Sequence, residues 1–174
     1  MTRLLVMGVS GCGKTTVAAG VAKHLGWTLL EGDAFHPPSN VAKMASGTPL
    51  TDEDRWPWLH AIATEAAGYA NVVVACSALK HAYRAVLAPD VLVYLHGTKE
   101  MIAERLRARK GHFMPPALLD SQFATLEPPG ADELPIVVPI DPPPDELIQI
   151  VLAQLSASMT GKDRRCVTPP RRSV

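Results

Sequence analysis

One eight-residue run, Gly8-Val9-Ser10-Gly11-Cys12-Gly13-Lys14-Thr15, constrains this chain more than any other feature. It satisfies GxxxxGK[ST], follows an apolar run of strand length (Arg3 to Met7) and opens a helical pattern (Lys14 to Leu25), the context in which such a loop cradles phosphate. Glycines let successive backbone N–H groups turn toward phosphate oxygens, and the following helix presents its positive end. Lys14 is then expected on the β and γ phosphates of ATP, and the Thr15 hydroxyl on Mg²⁺. By composition alone the pattern arises on the order of once in 200 chains of this length, so a glycine-rich turn without a ligand is a poor explanation. Cys12 lies inside the loop, where its alkylation is expected to block nucleotide binding.

Strand-length apolar runs recur at Thr28 to Glu31, Val72 to Ala75, Val91 to Leu95 and Pro135 to Ile140, separated by helical patterns. Several are apolar at consecutive positions, as in parallel strands covered on both faces. The expected fold is α/β, a three-layer α/β/α sandwich on a five-stranded parallel sheet. The helical patterns cover Lys14 to Leu25, Pro57 to Tyr69, Leu79 to Leu87, Lys99 to Arg109, Pro116 to Leu126 and Pro144 to Ala157. Two starts are open for the second: a capping box at Thr51 and Asp54, or Pro57 as first helical residue. Residues 1–158 read as one domain; 159–174, basic and proline-containing without apolar period, read as a flexible tail.

The 17 basic and 17 acidic side chains cancel, so no polyanion partner such as nucleic acid is implied. No apolar stretch approaches the roughly 20 residues of a membrane span. Cys12, Cys76 and Cys166 have neither CxxC nor Cys/His spacing, which suggests no disulfide framework or zinc site and points to a reducing cytoplasm.

A phosphate cradle is shared by switch GTPases, motor ATPases and small-molecule kinases. The third strand, NVVVACSAL, lacks the Walker B aspartate of the first two classes. Asp33 follows the second strand, at the carboxyl end where open α/β sheets collect ligands. A carboxylate there can orient an attacking hydroxyl, accept its proton, or reach the magnesium through water. His36 has two readings, a substrate hydrogen bond or a cap on the helix of Pro37 to Met44.

Four blocks in order carry a family resemblance: GVSGCGKTT, GDAFHPPSNVAKMASGTPLTDEDRWPWL, CSALKHAYR and RLRARKGHFMPPALLDSQFATLEPP. From about Arg3 to Ala157 the chain resembles the bacterial gluconokinases of the P-loop sugar-acid kinase type, relatives of shikimate and nucleoside monophosphate kinases. The resemblance implies transfer of the γ-phosphoryl group of ATP to D-gluconate, with Mg²⁺ as cofactor. It implies catalytic roles for Lys14, Asp33 and Arg109, and nucleotide contacts from Gly8, Ser10, Gly11, Cys12, Gly13, Lys14, Thr15, Thr16 and Arg105. Substrate contacts are implied for Asp33, His36, Arg55, Ser77, Lys80, Arg84, His112 and Gln122. Which cation holds the substrate carboxylate is open. Residues 105–116 look like a lid, with Arg105 and Arg109 on one helix face, and a loop near Asp141 to Pro144 is placed by analogy at the adenine. The resemblance also implies a homodimer, although the sequence shows no interface. Two rivals are a kinase of the same fold for shikimate or a nucleotide, and a nucleotide-dependent regulatory module without turnover.

Overall fold

Leu4, Leu5, Val6 and Met7 follow one another in the first strand, and none is more than 1% exposed. Because successive strand side chains point to opposite faces, Leu4 and Val6 enter one apolar cluster and Leu5 and Met7 another. A strand apolar on both faces is stable only between two helical layers. The computed structural model, which describes residues 1–108 and 116–163, has that arrangement.

The elements are β1 (Thr2–Met7), α1 (Lys14–Leu25), β2 (Thr28–Glu31), α2 (Pro38–Ala45), α3 (Asp52–Ala66), β3 (Asn71–Ala75), α4 (His81–Leu87), β4 (Val91–His96), α5 (Lys99–Ala108), α6 (Pro116–Thr125), β5 (Ile136–Pro139) and α7 (Pro144–Asp163). All strand pairs are parallel, in the order β2-β3-β1-β4-β5. Helices α1 and α7 supply Val17, Val21, Leu147 and Val151 to the core on one face. On the other face α3 and α4 supply Trp58, Leu59, Ile62, Tyr83 and Leu87. Strand order reverses around the central β1: the chain passes from β1 toward β2 on one side and later from β3 to β4 on the other. The loops leaving β1, β2 and β3 therefore gather at the switch point of the sheet.

Two readings left open by the sequence are decided, and one expected end moves. Helix α3 starts at Asp52 with Pro57 inside it, because the capping box is formed: Thr51 Oγ1 accepts from the Asp54 N–H (3.3 Å) and the Asp54 carboxylate accepts from the Thr51 N–H (2.9 Å). Lys43 reinforces that start with an ion pair to Asp54 at 2.8 Å, which holds the carboxyl down to about 2. Helix α2 starts at Pro38 with no side-chain cap bond, so His36 is not its cap. Helix α7 runs to Asp163, past Ala157, and the remainder of the expected tail lies outside the described residues.

Arg84, expected on the substrate, is instead part of the framework. It shares the buried face of α4 with Tyr83 and Leu87, is 2% exposed, and forms a paired contact with Glu133 at 2.6 and 2.8 Å. Nη1 donates to the carbonyls of Ala78, Leu79 and Glu127. Ala78 has φ +44°, a left-handed conformation that costs a non-glycine residue about 1–2 kcal/mol, and the Arg84 contacts hold the turn that contains it. Glu133→Gln leaves a buried, unbalanced guanidinium and is expected to lower unfolding free energy by about 3–5 kcal/mol in urea denaturation at pH 7. Arg84 holds the Glu133 carboxyl below the usual range, so this stabilisation is full above the ordinary glutamate value and fades as pH falls through the lowered one.

Candidate active site

The β1–α1 loop is shaped for an anion. Gly8 has φ +146°, and a Cβ there would lie 2.7 Å from Cys12 Sγ and 2.8 Å from the Leu95 carbonyl oxygen, so only glycine fits. Helix α1 has no acidic residue in its first turn to oppose a bound phosphate. Lys14 Nζ donates to the Val9 carbonyl at 3.1 Å, which leaves two of its three donors for an anion. Cys12 is fully buried in the core cluster on the α1 face, which corrects the expectation of an alkylatable thiol in the loop. Ser10 is clamped by Gln122 of α6: its N–H donates to Gln122 Oε1 (2.7 Å) and its Oγ accepts from Nε2 (2.9 Å). Gln122 therefore joins α6 to the phosphate loop.

Glu31, the last residue of β2, escaped sequence reasoning. Its Oε2 accepts from the Thr15 hydroxyl at 2.9 Å, while Oε1 is buried with no hydrogen-bond partner. The bond takes the hydroxyl proton and leaves Thr15 lone pairs for a cation. A hydroxyl beside an orphaned carboxylate oxygen is a donor set that suits a hard divalent ion such as Mg²⁺. The readable signal was a carboxylate at the carboxyl end of a strand, two residues before Asp33.

Asp33 sits in a short 3₁₀ turn, Gly32–Phe35. The turn packs so closely on β3 that a Cβ on Gly32 would lie 2.7 Å from the Ala75 carbonyl oxygen, and the buried Trp58 indole N–H fixes it by donating to the Gly32 carbonyl at 2.7 Å. The Trp58 ring stacks on His36 at 4.1 Å between centroids. Asn40, 2% exposed, brings its amide N–H to within 3.4 Å of His36 Nδ1. An amide N–H can only donate, so Nδ1 accepts and the neutral ring carries its proton on Nε2. Burial pushes the imidazole below its ordinary value and Arg55 adds to this, against the pull of Asp33.

These elements enclose a cleft of about 490 Å³. Ser10, Lys14 and Thr15 line it at the phosphate loop; Asp33, His36, Arg55, Ser77 and Gln122 line it elsewhere, with apolar walls from Val41, Met44, Leu50 and Leu118. Lys80, expected on the substrate, does not line it: Nζ holds both oxygens of Asp52 at 2.9 and 2.7 Å. A smaller recess of about 270 Å³ adjoins the loop, lined by Gly11, Cys12, Gly13, Thr16, Arg105, Pro144 and Leu147. Arg105 is anchored there by donating to the Ile140 carbonyl. Arg109 and His112 lie outside the described residues.

A family model described as an AAA domain matches residues 4–129. The chain is 50% identical over 163 residues to a gluconokinase of Gluconobacter oxydans, covering 88% of this chain and 91% of that protein. This chain belongs to the gluconokinase family. The thermoresistant gluconokinase of Escherichia coli is 47% identical over 167 residues, covering 91% of this chain and 94% of its own. A solved gluconokinase from Sinorhizobium meliloti superposes with a TM-score of 0.89 at 42% identity, covering 95% of this chain and 98% of the other. The four sequence blocks of the resemblance and the parallel sheet thus belong to one family, and this gluconokinase-family chain is an ATP-dependent kinase by fold and relatives alike.

Protonating His36 costs its half-buried, stacked position, so the neutral form is the native one. The expected result is a change in Trp58 fluorescence with a midpoint below 6.5, the ordinary imidazole value. His36→Gln is expected to abolish the change; a midpoint at or above the ordinary value contradicts the assignment.

Proposed function

We propose that this chain transfers the γ-phosphoryl group of ATP to the terminal hydroxyl of D-gluconate, giving 6-phospho-D-gluconate and ADP. One observation supports this most directly: a single cleft runs from the phosphate loop to Asp33, His36 and Arg55. Lys14 and the loop N–H groups hold the β and γ phosphates, and the recess beside Thr16, Arg105 and Pro144 takes the adenosine. Thr15 and Glu31 would hold Mg²⁺, which when bound neutralises charge on the phosphates. Glu31 here replaces Asp33 as the second protein group near the metal.

Asp33 is then free to face the acceptor. Its carboxylate accepts a hydrogen bond from the attacking hydroxyl, aligns the oxygen with the γ phosphorus, and takes the proton as the new P–O bond forms and the bond to ADP breaks. His36 donates from Nε2 to a substrate oxygen, and Ser77 offers a hydroxyl. Arg55 takes the carboxylate: Lys80 and Arg84 are engaged by Asp52 and Glu133, whereas Arg55 lines the cleft with Nε and Nη2 unbonded among the described residues. The kinase unit is the expected domain, 1–158, carried on to Asp163 by the last turns of α7. The cytoplasm is its compartment, a reading supported by buried unpaired Cys12 and Cys76. Among the described residues no helix is long and apolar enough to cross a membrane.

The test is ADP release by the purified chain with Mg-ATP and gluconate, glucose, shikimate or a nucleoside monophosphate. Turnover is expected with gluconate, and Asp33→Asn is expected to lower kcat by roughly 10²–10⁴-fold. Preference for another acceptor overturns the substrate; nucleotide binding without turnover on any acceptor makes the chain a regulatory module.

A further inference from the structure

Arg55 does not enter the cleft as a free cation. Its side chain is 13% exposed, and Nη1 donates to the Tyr83 hydroxyl at 3.1 Å. Tyr83, 1% exposed, has a single hydroxyl proton, which it gives to Asp52 Oδ1. Asp52 stands 3.6 Å from Arg55 Nη1, too far for a hydrogen bond, while Lys80 bonds both of its oxygens. Lys80 and Arg55 both lie over the Tyr83 ring, 5.7 and 5.5 Å from its centroid. Among the described residues Nε and Nη2 of Arg55 make no hydrogen bond.

The charges are matched in a particular way. Asp52 alone would neutralise Arg55 and reduce its attraction for an anion in the cleft. Lys80 shares Asp52, bonding both oxygens and leaving Arg55 a looser ion pair at 3.6 Å, so the cluster of two cations and one carboxylate keeps a single net positive charge, and one corner of the guanidinium is fixed through Tyr83. A bidentate carboxylate needs two N–H groups in a fixed fork, and Nε and Nη2 are that pair. Neither Asp52, Lys80 nor Tyr83 lines the cleft, so they act only through Arg55.

We propose that Asp52, Lys80 and Tyr83 are positioning residues that fix the Arg55 fork and preserve its charge, so that the cleft selects acceptors ending in a carboxylate over neutral polyols of the same length. This rests on the assignment of the gluconate carboxylate to Arg55. A neutral hydroxymethyl group offers Arg55 one weak acceptor in place of two charged ones and leaves the cluster's net charge unbalanced.

The experiment uses the full chain with Mg-ATP, measuring KM and kcat for D-gluconate and the inhibition constant of D-glucitol, which carries CH₂OH where gluconate carries its carboxylate. Lys80→Met, which leaves Asp52 to neutralise Arg55, and Tyr83→Phe, which frees the guanidinium corner, are expected to raise the gluconate KM about tenfold or more, with kcat changed less than about twofold, KM for ATP unaltered and the glucitol constant unaltered. A loss that strikes gluconate, glucitol and kcat together, with a lowered Tm, overturns the proposal in favour of a purely structural role. So does an unchanged gluconate KM. Arg55→Met separates the two levels. If it erases the preference for gluconate over glucitol while Lys80→Met and Tyr83→Phe do not, positioning is wrong and the carboxylate assignment survives. If Arg55→Met leaves the preference intact, both are wrong.

Discussion

The rest of the molecule depends on one requirement: backbone N–H groups at the start of α1 must converge on phosphate without side chains in the way. That requirement places glycine at position 8, where any Cβ would meet Cys12 and the Leu95 carbonyl. It also needs a rigid platform behind the loop. The platform is β1, central in the sheet and apolar at four consecutive positions, so that helices must cover both its faces. Once β1 is central, β3 is its neighbour and β2 lies beyond, and the turns after these strands come to the same edge. Asp33 and Ser77 reach the cleft because of where β2 and β3 end, and Glu31 meets Thr15 for the same reason.

Charge pairing then decides which cations remain for ligands. Lys43 is engaged by Asp54, Lys80 by Asp52 and Arg84 by Glu133. Each pair joins elements that the chain would otherwise leave loosely related: α2 to α3, α3 to the start of α4, α4 to the turn before β5. The exposed pairs contribute little on their own, while the Arg84–Glu133 contact is buried enough that losing one partner is costly. Among the described residues that line the cleft, Lys14 at the phosphate loop and Arg55 keep donors for a ligand.

The features legible in the sequence are those set by local rules. The glycine loop, strand length and helical period located α1 and β2 at Lys14–Leu25 and Thr28–Glu31, and a parallel sheet followed from consecutive apolar positions. Pro57 left the start of α3 open because the supports of its capping box, Lys43 and Asn40, are remote in sequence. The cations were the other difficulty. An arginine in a helix reads alike whether it faces a substrate or a glutamate 49 residues away, so Arg84 could not be told from Arg55. Glu31 and Asp52 were missed for a related reason, since a carboxylate gains meaning only from the hydroxyl or ammonium that folding brings to it.

A single cleft shared by the nucleotide phosphates and the sugar acid is the claim on which the chemistry stands. Calorimetric titration with a bisubstrate analogue, adenosine joined to the terminal oxygen of gluconate through a chain of four phosphates, tests it most directly. Linked occupancy of both ends predicts binding at least about 10²-fold tighter than ADP or gluconate alone, with the gain lost in Arg55→Met. An affinity no greater than that of ADP, unchanged by Arg55→Met, would mean that the acceptor does not bind where the phosphate loop can reach it.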